Sequence, residues 1–206
     1  MTNSINPYKG DPAFIEKLRK MHPFKLFMYI AILSIGILFF FLIVGFLLTN
    51  DASKFYLPKH FTFSTLVLLI SSFYMYKSVQ NYADDNIKML LQNLVICFLL
   101  GQLFIYSQFK GWGELQQKGL FLSGNVNGSY LYLLSGLHVL HFVGGMIFLI
   151  VIFSKVYTCN RDEVKRLLYV TSPMDKMKLQ LLHTYWQFMD IVWLVLFFVF
   201  IIPDLF

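Results

Sequence analysis

Five runs of apolar residues, each close to the length of a membrane-crossing helix, limit what this 206-residue chain can fold into. They lie at about Phe24–Thr49, Phe61–Val79, Ile87–Ser107, Tyr130–Phe153 and Leu179–Ile202. A helix rises about 1.5 Å per residue, so roughly 20 apolar residues cross a hydrocarbon core of about 30 Å. Runs such as ILFFFLIVGFLL lack the alternation that barrel strands would show. The expected fold class is an all-α integral membrane protein, a bundle of five transmembrane helices. Residues 1–23, with Pro7, Pro12 and Pro23, read as a surface tail, and 24–206 as the five-helix domain. The first run is too long for a signal peptide and has no small-residue cleavage pattern, so it reads as a retained anchor. The longest loop, 154–178, reads as a charged connector with a short interfacial helix around Glu163–Tyr169.

The distribution of charge turns this bundle into a topology. The formal net charge is +6, and thirteen of the seventeen Lys and Arg fall in the N-terminal tail and start of helix 1, the 2–3 loop and the 4–5 loop. Lys54, Lys59, Lys110 and Lys118 occupy the other side. The positive-inside rule then puts the N-terminus in the cytoplasm and the C-terminus outside. With the cations confined to loops, the basic balance implies no nucleic-acid partner. Cys97 lies within helix 3 and Cys159 in the inner loop, at depths that disfavour a disulfide. Tyr56, Trp112 and Tyr169 suit an interfacial aromatic belt.

Polarity enters the membrane at a few positions. Asp190 lies about 12 Å along helix 5 from Leu182, where an unpaired carboxylate costs a few kcal/mol. His183, Gln187 and Asp190 share one helical face, and Trp186 and Trp193 line the adjoining one. In helix 4, His138, His141 and Gly145 share a face. His141 lies about 16 Å below Tyr130, and Asp190 about 18 Å from the outer surface, so His141 is the expected partner of Asp190, with His138 behind it. Gly136, Gly144 and Gly145 are expected to let backbones approach closely. Such groups can act as glue between helices, or as a functional site.

Metal binding finds little footing. His138 and His141 are neighbours on one helix, whereas a b-type haem takes axial ligands from opposite sides, and His183, His60 and His22 lie at other depths. There is no thiolate cluster or HExxH pattern for zinc or copper.

The motifs resemble those of subunit III of the haem-copper terminal oxidases. TYWQFMDIVWLVLFF is similar to that family's C-terminal signature, Tyr-Trp-His-Phe followed by an aspartate and a Val-Trp pair. GSYLYLLSGLHVLHFVGG is similar to its Gly-x-His-x-x-His-x-x-Gly helix, and LPKHFTFSTLVLLISSF and GQLFIYSQFKGW add further matches between Phe24 and Phe200. Three positions depart from the pattern. Ile35 follows Ser34 where the family has a buried glutamate, Gln187 replaces the histidine, and Gly111 stands where a glutamate often precedes the aromatic. The five expected helices also contrast with seven in longer members, which removes part of the family's lipid-filled cleft.

The resemblance implies an accessory, non-redox role in a bacterial cytoplasmic membrane. It implies direct packing on oxidase subunit I, a complex with subunit II and other subunits, bound phospholipid, support of proton uptake, and haem and copper held by partners with none in this chain. Asp190, His141, His138, Gln187 and His183 are then an intramembrane polar core, with Trp186, Trp193, Gly136, Gly144 and Gly145 as packing positions. Two alternatives are a subunit III-like protein associated with nitric oxide reductase, and a proton-coupled carrier using Asp190 and His141.

Overall fold

The computed structural model describes residues 22–49, 58–121 and 126–205. Nearly all of the tail expected over 1–23, and Tyr56, lie outside these. Among the described residues the chain is helical throughout: α1 (Pro23–Thr49), α2 (Lys59–Ala83), α3 (Ile87–Gln117), α4 (Val126–Cys159), α5 (Glu163–Thr171) and α6 (Pro173–Leu205). Four of them, α1, α3, α4 and α6, are long and apolar enough to cross a membrane. The expected fifth, α2, has the length at 25 residues. It falls short in composition because Thr62, Ser64, Thr65, Ser71, Ser72 and Ser78 interrupt its apolar run.

The helices outlast the apolar runs, most visibly in α3, which continues past the expected end near Ser107 to Gln117. The extra turns are polar, and their donors find acceptors on neighbouring helices, although Gln108 Oε1 is buried without a partner. The Gln108 side chain donates to Ser64 Oγ at 2.8 Å, and the Trp112 indole donates to Ser135 Oγ at 2.9 Å. Glu114 accepts from the Lys59 backbone N–H at 3.0 Å and lies 3.1 Å from His60 Nε2. An acid from the end of α3 thereby caps the first turn of α2, where unsatisfied N–H groups favour negative charge.

The turn between α2 and α3 is tight. Asp85 takes a left-handed conformation, φ 55°, one that aspartate tolerates better than most side chains. Asn86 then caps α3 by accepting from the Met89 N–H. The resulting α2–α3 hairpin is the most extensive helix pair. Against it, α6 packs on α2 and α4 packs on both α3 and α6. Helix α1 leans on α4 and α6 from outside, with Phe39 and Phe46 as its buried residues.

The connector expected over 154–178 is mostly helix. Asp162 caps α5 by accepting from Val164 and Lys165 N–H groups, so the expected start at Glu163 is observed. The charges that suggest a loop are shared among helices: Lys155 on α4, Glu163, Lys165 and Arg166 on α5, and Asp175, Lys176 and Lys178 on α6. Tyr82 Oη donates to the Tyr169 carbonyl at 2.9 Å, satisfying a C-terminal carbonyl of α5 from the end of α2.

Candidate polar core of the bundle

Helix α2 buries one stripe: Phe61, Ser64, Thr65, Leu68, Ser71, Met75, Ser78 and Tyr82. Spacings of three and four put these on one face. Two of its hydroxyls, Ser64 and Thr65, are used twice. Ser64 and Thr65 each donate back to the Phe61 carbonyl at 2.9 Å, as mid-helix hydroxyls do. Their lone pairs remain free for neighbours. Thr65 Oγ1 accepts the Trp193 indole N–H at 3.0 Å, and Ser71 Oγ accepts that of Trp186 at 3.1 Å. An indole is donor-only and must find an acceptor when buried; here both, on α6, find one on α2.

Trp186 and Trp193 are each at most 1% exposed. Trp193 meets Phe61 and Phe104 edge-on, at centroid distances of 5.5 and 5.2 Å, and Trp186 lies 5.1 Å from Phe142. They fix the register of α6. On the α4 side, Tyr185 donates to the His141 carbonyl at 2.8 Å. A Cβ at Gly145 would come within 2.9 Å of the Tyr185 ring, so this glycine permits the close approach expected of it. Gly144 and Gly136 are looser, at 3.9 Å from Tyr185 and 3.8 Å from Trp112.

This register separates Asp190 from its expected partner. His138 sits beside Trp193, at 5.1 Å between centroids, while His141 sits a turn lower, with its carbonyl at Tyr185. Asp190 is 4% exposed, and neither carboxyl oxygen has a hydrogen-bond partner. Ser72 on α2 approaches the side chain without closing an ordinary hydrogen bond. His141 instead places Nδ1 2.8 Å from the Leu137 carbonyl, which requires the proton on that nitrogen because a carbonyl only accepts. The Asp190–His141 contact is therefore not formed. Equal depth would need Tyr130 and Leu182 to be equivalent edges, but α4 begins at Val126 and α6 at Pro173, and side-chain packing sets the offset.

The remaining sites are also dispersed. His138 is fully buried, with both ring nitrogens lacking a hydrogen-bond partner, enclosed by Phe39, Phe104, Phe142 and Trp193. Gln187 reaches the Ser72 carbonyl at 3.5 Å. His183 lies 6.2 Å from the Tyr76 ring, with Nε2 buried and unpartnered. Among the described residues no three His, Cys, Asp or Glu side chains gather as a metal-ligand set.

Several contributors escape a reading of the sequence. The hydroxyl positions 64/65, 71/72 and 78 repeat at seven residues, a spacing that is visible in the sequence and marks a bonding stripe. Gly101 and Gly111 carry no such signal. A Cβ at Gly101 would meet Met146 Sδ at 2.5 Å, and one at Gly111 the Phe61 ring at 2.5 Å. Gly111 therefore has a packing reason where the resemblance leads one to expect an acid.

Comparison with known proteins places this architecture. The family described as Cytochrome c oxidase subunit III matches residues 56–203. A probable cytochrome c oxidase subunit 3 of Mycobacterium tuberculosis is 32% identical over 133 residues, which are 65% of this chain and 61% of that protein. A cytochrome bo(3) ubiquinol oxidase subunit 3 of Buchnera aphidicola is 30% identical over 133 residues, 65% of this chain and 63% of the relative. The cytochrome c oxidase subunit 3 of Papio hamadryas is 27% identical over 134 residues, 65% of this chain and 46% of the relative. The chain thus aligns with about three fifths of the bacterial relatives' length and under half of the baboon protein's. With a matched segment that contains α2 to α5 and nearly all of α6, the chain belongs to the cytochrome c oxidase subunit III family.

Proposed function

We propose that this chain is an accessory, non-redox subunit of a respiratory haem-copper oxidase in a bacterial cytoplasmic membrane. It packs directly on subunit I within a complex that includes subunit II, and haem and copper reside in those partners. Helix α2 serves as a fifth span: the buried hydroxyls of Ser64, Thr65, Ser71 and Ser78 are bonded to its own carbonyls or to neighbouring helices, which hides much of its polarity from lipid. The N-terminus lies in the cytoplasm and the C-terminus outside. Phospholipid held against the exposed apolar surface, and support of proton uptake, belong to the same reading.

The observation that carries it is the use of the polar core. Trp186, Trp193, Gln108 and Trp112 spend their donors on hydroxyls of adjacent helices, which ties α2, α3, α4 and α6 into one bundle. Outward it presents apolar side chains, among them Phe27, Leu33 and Phe41 on α1 and Leu66 and Phe73 on α2, a surface suited to lipid and to a larger apolar partner. The names of the relatives include both cytochrome c and ubiquinol oxidases, so the electron donor is a property of other subunits.

Purification of the tagged chain from its native membrane in mild detergent tests this. The expected result is stoichiometric recovery of haem-bearing subunit I and of subunit II, with oxygen consumption by the complex. Recovery of the chain alone, or with nitric oxide reductase subunits, would overturn it.

A further inference from the structure

A cavity of about 310 Å³ opens where α1, α2 and α6 meet, at the end of the bundle that carries Lys25. Lys25 and Tyr29 of α1, Val79 of α2, and Gln180, His183 and Thr184 of α6 line it. Among the described residues no carboxylate lines this cavity. From here polar groups lead inward along α6. His183, Gln187 and Asp190 stand at spacings of four and three, so they share one helical face, and the seven residues from first to last rise about 10 Å.

Helix α2 matches this face step by step in the opposite direction. Val79 lies at the cavity, and the Tyr76 ring lies 6.2 Å from that of His183. The Ser72 carbonyl accepts from the Gln187 amide at 3.5 Å, and the Ser72 side chain approaches Asp190. Positions 72, 76 and 79 again share a face. The resulting seam ends just past Asp190. There the Trp193 indole bonds Thr65 and its rings meet Phe61 and Phe104 edge-on, so aromatic bodies fill the outer end. Along the seam, His183 Nε2 and both Asp190 oxygens are buried without a hydrogen-bond partner. Ionisable groups at membrane depth pair with one another or line a watered cavity, and a bridging water needs polar partners such as these.

We propose that Asp190 is a proton-holding site served by a one-ended water path, which enters at the Lys25 cavity and runs by way of His183, Gln187 and Ser72. The carboxylic acid passes its proton to water and takes another back, so nothing is consumed. The filled outer end lets no proton cross the membrane. Access is from the cytoplasmic side alone, which rests on the orientation proposed above and not on which enzyme the chain joins.

Infrared spectroscopy of the purified complex reads the exchange. The carbonyl stretch of the Asp190 acid, identified as the band missing from Asp190→Asn, should shift within seconds of transfer to heavy water. Val79→Trp, which plugs the cavity at a distance from Asp190, should slow that shift roughly a hundred-fold or more, because exchange then waits on local opening of the helices. His183→Phe/Gln187→Leu should do the same. Absence of the acid band, a slow shift in the unaltered complex, or an unslowed shift in both variants would overturn the proposal. Thiol labelling reads the side of access. Gln187→Cys, in a chain with Cys97→Ser and Cys159→Ser, should react with a charged, membrane-impermeant methanethiosulfonate in inside-out vesicles and not in right-side-out ones. Lys176→Cys, exposed at the same end of α6, reports the orientation by itself. Reaction of Gln187→Cys from the side opposite to Lys176→Cys, or from neither side, would overturn the path. Reaction of both from the outside alone would support the path and overturn only the orientation, so the two failures are distinguishable.

Discussion

The Trp193 indole ends on the Thr65 hydroxyl, 3.0 Å away across the α2–α6 contact. One heptad along α6, Trp186 repeats the arrangement with Ser71. A stripe of small hydroxyl residues on one helix thus accepts from a stripe of large donors on another, and the aromatic bodies fill the space between them. This pairing sets where every other polar residue of α6 falls, including Asp190.

Removing the acceptor isolates a buried donor. Thr65→Val should destabilise the chain by about 1–3 kcal/mol, the cost of an unsatisfied buried N–H. In combination with Trp193→Phe the losses should be less than additive, with a coupling of roughly 0.6–1.7 kcal/mol, the range of interhelical hydrogen bonds in membranes. Reversible unfolding in mixed detergent measures all four species of the cycle. Strict additivity would show that the bond contributes nothing.

Glycine positions divide by what surrounds them. Gly111→Ala places a methyl against the Phe61 ring and should cost about 1–3 kcal/mol through overpacking. A methyl at Gly113 would have nothing within 4 Å, so Gly113→Ala should be neutral or slightly stabilising. Phe61→Leu should recover part of the Gly111→Ala loss. Thermal denaturation of the purified chain distinguishes the three, and equal behaviour of the two alanine variants would contradict the close α2–α3 approach.

Asp190 and His141 should behave as independent sites. With Asp190 beside Ser72 and making no hydrogen bond to His141, the cycle of Asp190→Asn with His141→Asn should show coupling below about 0.5 kcal/mol, the usual limit for residues that share no contact. The cycle of Asp190→Asn with Ser72→Ala should exceed it. Unfolding free energies in detergent decide between these, and strong coupling to His141 would restore the partner expected from depth alone.

Helix α5 carries a pH signature outside the membrane. The Lys165 backbone N–H, and then that of Val164, hold the Asp162 carboxyl below its usual range. A depressed folded value means that the cap contributes above the unfolded pKa, about 3.9, and is lost as pH falls through the folded one. Hydrogen exchange at Val164 and Lys165, corrected for intrinsic rates, should show constant protection from pH 8 to about 5 and fading protection only below about 4. Asp162→Ala should lower protection throughout and flatten that dependence. A transition near neutrality would contradict the cap.

The outline of the bundle is legible in the sequence because lipid demands long apolar runs, and the runs are there. Helix ends are less so. Residues such as Gln108 and Trp112 look like loop chemistry until the hydroxyls that accept from them are brought across from α2 and α4. The start of α5 is readable from Asp162 and Glu163 because capping is local. The partner of Asp190 is not, since it depends on a register between α4 and α6 set by Trp186, Trp193, Tyr185 and Gly145 together. A depth ruler along each helix measures height from an assumed edge, and neither the edge nor the rotation of the helix follows from it.

The central claim, that the polar core braces an accessory subunit and does no chemistry, is tested most directly by measuring two quantities on the same purified Asp190→Asn complex: the amount of this chain per haem-bearing subunit, and oxygen consumption per complex that retains it. The account predicts that each complex still holding the subunit turns over at the normal rate, so any lost activity tracks lost subunit. A large fall in turnover at full subunit stoichiometry would contradict it.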